Sequence, residues 1–480
     1  MSIISPPPDS ETNVIIVGGG PVGCTLSLAL SNLGISSVVL ERETGIHPLP
    51  RAALIDAEAH RSLLQQGLGA SLDNILTPMR TAEYVDVDGN RLAGEDLTSR
   101  RVHGGLPPSS VHFQPELEAL LRQALAARGG RLVEGANVTS VTDHGDGATV
   151  TCADGESLSA KWVVACDGAS STVRRQLGLS RQDLGFDQDW LVVDIEVNDR
   201  ETCGLPDVAR QVCDPARPTT MISGHGRMYR WEFQLQPGED PIEVNSTENI
   251  WSLLSPWIAP DAARLVRSAA YKFHAGVVTE WRKGSVMLAG DSAHQMPPFM
   301  GQGLNSGMRD AFNLAWKLKW VAEGWAGDSL LDTYGLERID HVRMLVETSV
   351  EAGLLIDQFA GRVSHGIVPR DGYGGQRPSP RITDGVVSGE HPRIGRLYPW
   401  WHETSQAPPT GPAMVLVSRN DGGTEIPHWS GPWRRVVLDS GRTFDSDYVV
   451  VRPDGYVAAV CSDDDLPRIL DDLRSSMSAT

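Results

Sequence analysis

Residues 13–42, NVIIVGGGPVGCTLSLALSNLGISSVVLER, constrain this chain more than any other stretch. Val14 to Val17 is a short β-branched run, the composition of a strand buried on both faces. Glycines follow at the spacing Gly18-x-Gly20-x-x-Gly23. Thr25 to Leu33 then reads as a helix that Gly34 is placed to end. Ile35 to Leu40 reads as a second strand closing on Glu41. In this order the first glycine allows the tight turn, the second lets a pyrophosphate approach the backbone, and the third lets helix and strand pack closely. The helix start offers free N–H groups and partial positive charge to phosphates. Glu41, 18 residues past Gly23, can accept hydrogen bonds from a ribose diol. A glycine-rich turn in an ordinary α/β unit would leave the strand, helix, strand and terminal acid unexplained, so the segment predicts a dinucleotide-binding unit. The motif alone does not separate NAD from FAD.

A chain of 480 residues has room for two or three domains with substantial cores. Its net charge of −19 argues against binding to nucleic acid or to anionic membranes. The cysteines (Cys24, Cys152, Cys166, Cys203, Cys213, Cys461) include no CxxC pair, which excludes a zinc pattern or a small disulfide scaffold and suits a cytoplasmic protein with reduced thiols. The opening MSIISPPPDSE lacks a basic region followed by an apolar core, so no signal peptide is expected. The glycines, Pro21, Ser31 and Asn32 argue against a membrane span over residues 14–40.

Further along, Asp56 to Leu68 reads as a helix, and Val111 to Arg128 as a strand running into a helix with Pro115 in its first turn. A buried strand ending at Ala165 leads into Cys166-Asp167-Gly168, then Ser170, Ser171, Thr172 and a helix holding Arg174 and Arg175. Asp-Gly at a strand end commonly makes only a turn; in this setting it predicts a second cofactor contact. A third segment repeats the pattern. Val286 to Ala289 reads as a buried strand, and Gly290-Asp291 stands at its C-terminal edge, where open α/β sheets bind ligands. Pro297, Pro298, Gly301 and Gly303 form a loop into a long helix whose first N–H groups, near Gly303 to Asn305, suit an anion or a carbonyl. Between these segments WLVVDIEVND, RMYRWEFQL and AAYKFHAGV read as an inserted antiparallel sheet. The expected organisation is an α/β dinucleotide domain over 1–184, a β-sheet substrate domain over 185–275, a return to the first domain over 276–355, a linker or arm over 356–412, and a small α/β module over 413–480.

The Gly18 fingerprint, the Cys166-Asp167-Gly168 segment and the Gly290-Asp291 segment, in this order, resemble the single-component FAD-dependent aromatic hydroxylases (group A flavoprotein monooxygenases). FDQDWLVVDIEV, QVCDPARPTT, RWEF and GDSAHQMPPFMGQGLNSGMRDAFNLAWKL look closest to the 3-(3-hydroxyphenyl)propionate hydroxylase type, with polyketide hydroxylases next. The resemblance implies a Rossmann-like FAD-binding fold of the p-hydroxybenzoate hydroxylase (GR2) type and a thioredoxin-like C-terminal domain without CxxC. It implies FAD as cofactor, NADPH or NADH as electron donor, and hydroxylation of a phenolic or polycyclic aromatic with O2 through a flavin C4a-hydroperoxide. By the same resemblance Gly18, Gly20, Gly23 and Glu41 hold the ADP half of FAD, Arg51 reaches the pyrophosphate and Gln114 the flavin side. Asp167 lies near the cofactor and the docking path of NAD(P)H, and Asp291 binds the ribitol or ribose. The loop with Pro298, Gly301, Gly303, Leu304 and Asn305 holds the isoalloxazine edge. Pro21, Val22, Arg42, Val138, Gly168 and Gly290 complete the expected cofactor set.

Catalytic candidates are Tyr229, Arg230 and His274 on the middle sheet, with His225 in the loop before it. An Arg or His there could bind a substrate carboxylate or assist phenol ionisation, unless it packs the far face of the sheet. His294 either acts in catalysis or holds its own turn. Yeast-type phenol hydroxylases carry an acidic base just after the segment matching Arg51, where this chain has Ala52-Ala53. The rival readings are an epoxidase or Baeyer–Villiger oxygenase acting on a polyketide, and a non-catalytic flavin-binding protein. The expected partners are a small aromatic molecule and O2, with no metal, nucleic acid or membrane, in a homodimer.

Overall fold

A computed structural model describes residues 12–48, 51–364, 366–367, 380–400, 411–418, 431–438 and 446–478. At its centre the strand Val14–Val17 pairs in parallel with Ser37–Glu41 on one side and Trp162–Ala165 on the other. Arg131–Glu134 extends the first side, and Val286–Leu288 with Arg282–Lys283 extends the second, giving a six-stranded sheet. The Val14–Val17 and Trp162–Ala165 runs are buried at every position, as parallel strands covered on both faces must be.

The helix Pro21–Asn32 follows the first strand. Pro21 occupies its first turn, where a missing N–H costs nothing, and Gly34 just past its end adopts a left-handed conformation with φ 72°. The helix is apolar nearly all round because it lies on the sheet and also packs against the helices Gln114–Ala127 and Gln302–Ala322. Leu26, Leu28 and Leu30 are fully buried, each contributing roughly 1.5–3 kcal/mol relative to exposure.

The middle sheet is larger than the expected 185–275 insertion. It has eight strands, in the order His294–Gln295, Ala263–Val278, Arg181–Val197, Met228–Gln234, Thr219–Ser223, Ala209–Val212, Thr81–Val85 and Arg91–Asp96. The last two come from before the predicted boundary; Ala209–Val212 pairs with Thr81–Val85 in parallel, a partnership that local alternation cannot announce. One face carries Leu191, Val193, Ile195, Tyr229, Trp231 and Phe233, buried against the helix Thr247–Leu254. The opposite face turns toward the domain built on the six-stranded sheet, where Arg230 donates to the Arg51 carbonyl.

The helix Asp332–Phe359 continues past the point where a linker was expected, and Ile394, Tyr398 and Trp400 pack into the core of the C-terminal sheet. Much of the expected 356–412 arm is therefore part of folded units; residues 368–379 and 401–410 lie outside the described residues. The C-terminal sheet runs Trp433–Val437, Met414–Ser418, Tyr448–Val451, Val457–Cys461, parallel in the first pair and antiparallel in the next two, followed by the helix Leu466–Met477. That is the strand order of a thioredoxin-like unit.

This unit docks through buried ions. Arg452 donates to Glu337 Oε2 at 2.8 Å and to Asp454, and Lys317 Nζ lies 2.8 Å from the same Glu337 oxygen. Tyr456 donates to Glu58 Oε1 at 2.5 Å, whose other oxygen meets Arg309 at 2.9 Å. Burial opposes ionisation of Glu337 and Glu58, but Arg452 with Lys317, and Arg309 with Tyr456, outweigh it and hold both carboxyls down at about 2. Among the described residues no helix is long and apolar enough to cross a membrane.

Candidate cofactor cavity and substrate face

The C-terminal ends of the three central strands open into a cavity of about 370 Å³. Its wall is built from segments far apart in the chain: Gly18, Gly20 and Pro21; Glu41 and Arg42; Arg51; Gln114; Val138; Asp167 and Gly168. The three fingerprint glycines have different jobs. At Gly18, φ is 106° and a Cβ would lie 2.3 Å from the Cys166 carbonyl oxygen, so the turn grazes the neighbouring strand. At Gly23 a Cβ would lie 2.0 Å from the Gly18 carbonyl oxygen, so the helix start is pressed onto the turn. At Gly20 a Cβ meets no protein atom within 4 Å, because this residue faces the cavity at the helix N-terminus.

Glu41 also braces the turn. Its Oε2 accepts the Gly19 N–H at 2.6 Å and its Oε1 accepts the Glu43 N–H at 2.9 Å, while the carboxylate still lines the cavity. Asp167 Oδ2 accepts the Val173 N–H at 3.2 Å, and its buried Oδ1 has no protein partner. An orphaned buried acceptor in a polar cavity is a place for a ligand donor. A glycine open to the helix N-terminus, a carboxylate at the second strand end, Arg42 and Arg51 on the wall and this free acceptor fit a dinucleotide with its phosphates.

Gln114 lines this wall and also braces the chain beside it. Its Oε1 accepts the N–H groups of Arg51 at 2.9 Å and Ala52 at 2.7 Å, and its Nε2 donates to Glu118 at 2.7 Å. The amide thereby positions the Arg51 backbone at the cavity wall. Arg122, also on the wall, donates to the Gly19 carbonyl at 3.2 Å and to Glu134 at 2.6 Å. Sequence reasoning missed Arg122 and Glu118; the signal was a charged pair one helical turn apart on an otherwise apolar helix face.

Gly290-Asp291 is packed onto the fingerprint helix. A Cβ on Gly290 would lie 3.1 Å from Val22 Cγ2, and a Cβ on Gly307 would lie 2.5 Å from the same atom. Val22 and Gly23 are thus packing positions, while Asp291 remains exposed at the turn. His294, Arg51 and Arg181 lie near enough to this carboxylate to favour its charged form. Arg51 therefore relates the Asp291 turn to the cavity. In the loop beyond, Pro298–Met300 form a short turn and Gly301 caps the helix Gln302–Ala322. Gly303 is open to space, Leu304 packs on the neighbouring core, and Asn305 is buried. Asn305 accepts the Asp56 N–H at 3.0 Å and donates to the carbonyls of Leu54 and Gly301, so it ties the loop to its neighbouring strand rather than reaching for a ligand.

The catalytic candidates divide. His294 is fully buried, stacked on Trp281, with Nε2 2.8 Å from Asp310. Asp310 also takes the Gly290 N–H at 3.0 Å and Arg338 at 2.8 Å; burial pushes its carboxyl up, and Arg338 and His294 outweigh that and hold it low. His294 holds the Gly290 turn and has no contact with the cavity. Tyr229 lies on the far face among Trp231 and Phe233, under the Arg200 guanidinium. His274 is exposed and paired to Asp187 at 3.1 Å on the solvent side. His225 bonds Thr77 at 2.8 Å. A His274→Ala variant is expected to keep its catalytic rate within about twofold and its stability within ~0.5 kcal/mol, since exposed pairs contribute little; steady-state kinetics and a thermal melt check it.

Arg230 alone of the catalytic candidates faces inward. It forms a two-pronged pair with Asp194 at 2.7 and 3.1 Å, and its Nη1 donates to the Arg51 carbonyl at 2.7 Å. The same face carries an aromatic group: Trp190 stacks on Phe273 with centroids 6.0 Å apart, and Phe299 of the 298–300 turn meets Trp190 edge-on at 5.3 Å. The cofactor cavity, the Asp291 turn and the inward sheet face at Arg230 thus meet around Arg51.

The family signature described as FAD binding domain matches residues 11–349. The chain is 38% identical over 362 residues to the probable NADH-specific resorcinol 4-hydroxylase of Rhodococcus jostii (strain RHA1), covering 74% of this chain and 68% of that one. It is 36% identical over 359 residues to the 3-(3-hydroxy-phenyl)propionate/3-hydroxycinnamic acid hydroxylase of Escherichia coli O81 (strain ED1a), covering 73% and 63%. Among solved structures, the flavin-dependent monooxygenase PieE in complex with FAD and substrate superposes with a TM-score of 0.80 at 22% identity, covering 98% of this chain and 100% of that one. Aklavinone-11 hydroxylase with FAD and aklavinone does so with a TM-score of 0.79 at 23% identity, covering 97% and 99%. These two establish the fold, of the p-hydroxybenzoate hydroxylase type. With the signature spanning most of its length and a relative of this identity, the chain belongs to the FAD binding domain family.

Proposed function

We propose that this protein is an FAD-dependent monooxygenase that hydroxylates a phenolic arene, with NADH or NADPH as electron donor and O2 as the oxygen source. The matched region spans only 63–68% of the length of the curated relatives, so the activity of the whole is inferred. The observation that carries the reading is the cavity at the strand ends, whose wall joins the Gly18 turn, Glu41, Arg51 and Asp167. The named activities of the relatives, hydroxylation of resorcinol and of hydroxyphenyl acids, point to the substrate class.

Bound FAD supplies the redox and oxygen chemistry. The chain's own residues bind and orient. The Gly18–Gly23 turn presents N–H groups to the phosphates, with Arg51 as their cation. Glu41 and Asp291 are the carboxylates available to sugar or ribitol hydroxyls, and Asp167 Oδ1 accepts a further donor. Phe273 and Phe299, half-buried against the core residue Trp190, offer apolar surface to a flat ring and keep water away from it.

The test is purification, a flavin absorbance spectrum, and turnover of resorcinol and hydroxyphenyl acids with NADH and NADPH under ¹⁸O2. One labelled oxygen atom per reduced nucleotide is expected in a ring-hydroxylated product. Product from ketones but from no arene would replace this reading with the Baeyer–Villiger one. A colourless protein that FAD does not reconstitute would end both.

A further inference from the structure

One carboxyl on the inner sheet face belongs neither to the cofactor cavity wall nor to the ion pairs around it. Glu232 is 4% exposed, on the strand Met228–Gln234, two residues beyond Arg230. Residues i and i+2 of a strand share a face and lie about 6.6 Å apart, so its carboxyl stands on the same side as the Arg230–Asp194 pair. Its cross-strand neighbours are Val192 and Thr220. Thr220 turns its hydroxyl to Gln211, and no hydrogen bond or ion pair to Glu232 exists among the described residues. Every other charge around it is matched. Asp194 holds Arg230 and also Arg267, whose guanidinium contacts Tyr271. Gln234, next on the same face, takes Arg362. Arg230 reaches the cofactor wall through the Arg51 carbonyl, and beyond it His112 is held neutral by burial and by Arg230, down at about 3.

A carboxyl buried without a partner costs free energy unless something supplies one. Here burial pushes Glu232 up to about 7, with Asp194 adding to the rise and Arg230 and Arg267 opposing it. It therefore changes charge near neutral pH, beside two guanidinium groups able to stabilise an anion.

Resting on the hydroxylase reading above, we propose that Glu232 binds the substrate's hydroxyl group and takes its proton. The phenol O–H bond breaks, a Glu232 O–H bond forms, and the electron pair stays on the phenolate oxygen. The phenolate is offset by Arg230 and Arg267, and the ring becomes the more electron-rich nucleophile that oxygenation needs. The proton leaves with the product or to solvent before the next turnover.

The test compares the FAD-loaded wild type with Glu232→Gln and Glu232→Asp, using resorcinol, NADH and O2 between pH 5.5 and 8.5. Flavin absorbance per chain reports that each variant is folded. In the wild type, product formation rises with pH through about 7. Glu232→Gln is expected to lose on the order of 10²-fold or more of product formation and the pH-dependent rise, with NADH consumption no longer matched by product. Glu232→Asp is expected to recover part of the rate with a displaced pH profile. Equal product yield and an unchanged profile in Glu232→Gln would overturn the proposal. Resorcinol binding, followed by its perturbation of the flavin spectrum, separates this from failure of the hydroxylase reading. If the wild type binds but makes no product, that reading falls, and Glu232 stands only if the affinity depends on pH through about 7 in the wild type and is flat in Glu232→Gln.

Discussion

Gly20→Ala is expected to fold and to lose FAD, whereas Gly23→Ala is expected to lose the fold itself. The two positions are three residues apart, but the space around them differs. The added methyl at Gly20 meets no protein atom within 4 Å, and its backbone, φ −72° and ψ −176°, is open to any residue. The apo-protein should pay about 1 kcal/mol or less, the usual difference between glycine and alanine at a helix cap. The methyl does enter the space where a phosphate approaches the helix N-terminus, so FAD affinity is expected to fall on the order of 100-fold, about 2.8 kcal/mol. At Gly23 the methyl would stand 2.0 Å from the Gly18 carbonyl oxygen, a clash of a fixed Cβ with backbone that no rotamer relieves. The expected loss is roughly 3 kcal/mol or more even without cofactor. Thermal melts of both apo-proteins, followed by titration with FAD, separate the two. Wild-type affinity in Gly20→Ala would show that the cofactor does not use this helix start.

The second large effect concerns acid stability and the C-terminal unit. Glu337 and Glu58 have folded carboxyls held down at about 2, against an unfolded value near 4.3. The native state therefore binds fewer protons than the unfolded state between those values. Their contribution is fully present above about pH 4.5 and is lost as the pH falls toward 2, on the order of 3 kcal/mol each. Removing a partner at neutral pH exposes the same dependence: Arg452→Met leaves the buried Glu337 with Lys317 as its remaining cation, beside the neutral donors Asn313 and Val386 N–H, and is expected to cost ~3–5 kcal/mol. Denaturant unfolding at pH 7 and melting temperatures from pH 7 to pH 3 check both. A variant as stable as the wild type at pH 7, with an unchanged acid limb, would mean that these ions contribute nothing to docking.

What could be read in advance depended on how local the cause was. The Gly18 turn, the helix after it and the Asp167 and Asp291 turns follow from sterics within a few residues, and each lies where its spacing predicts. The middle sheet was legible as strands but not as faces. In RMYRWEFQL the polar and apolar residues alternate, and which parity looks inward is decided by pairing with Arg181–Val197 and by the helix covering Tyr229, Trp231 and Phe233. That is why Tyr229 and Arg230, adjacent in sequence, part company, and why Glu232 went unnoticed. His294 could not be judged because its partners, Asp310 and Arg338, come from two later helices. Thr81–Val85 joins the sheet through strand Ala209–Val212, more than a hundred residues away, with no trace in local periodicity.

The contact of Val22 with Gly290 and Gly307 has a consequence for sequence drift. One isopropyl group packs against both of two Cβ-less backbones. None of the three positions can change size by itself: an alanine at 307 demands a smaller neighbour at 22 and a small shift of the Gly290 backbone, and a larger residue at 22 has nowhere to go. Descendants of this chain are expected to vary these sites together or not at all, and the stability lost in Gly307→Ala should be partly restored by Val22→Ala.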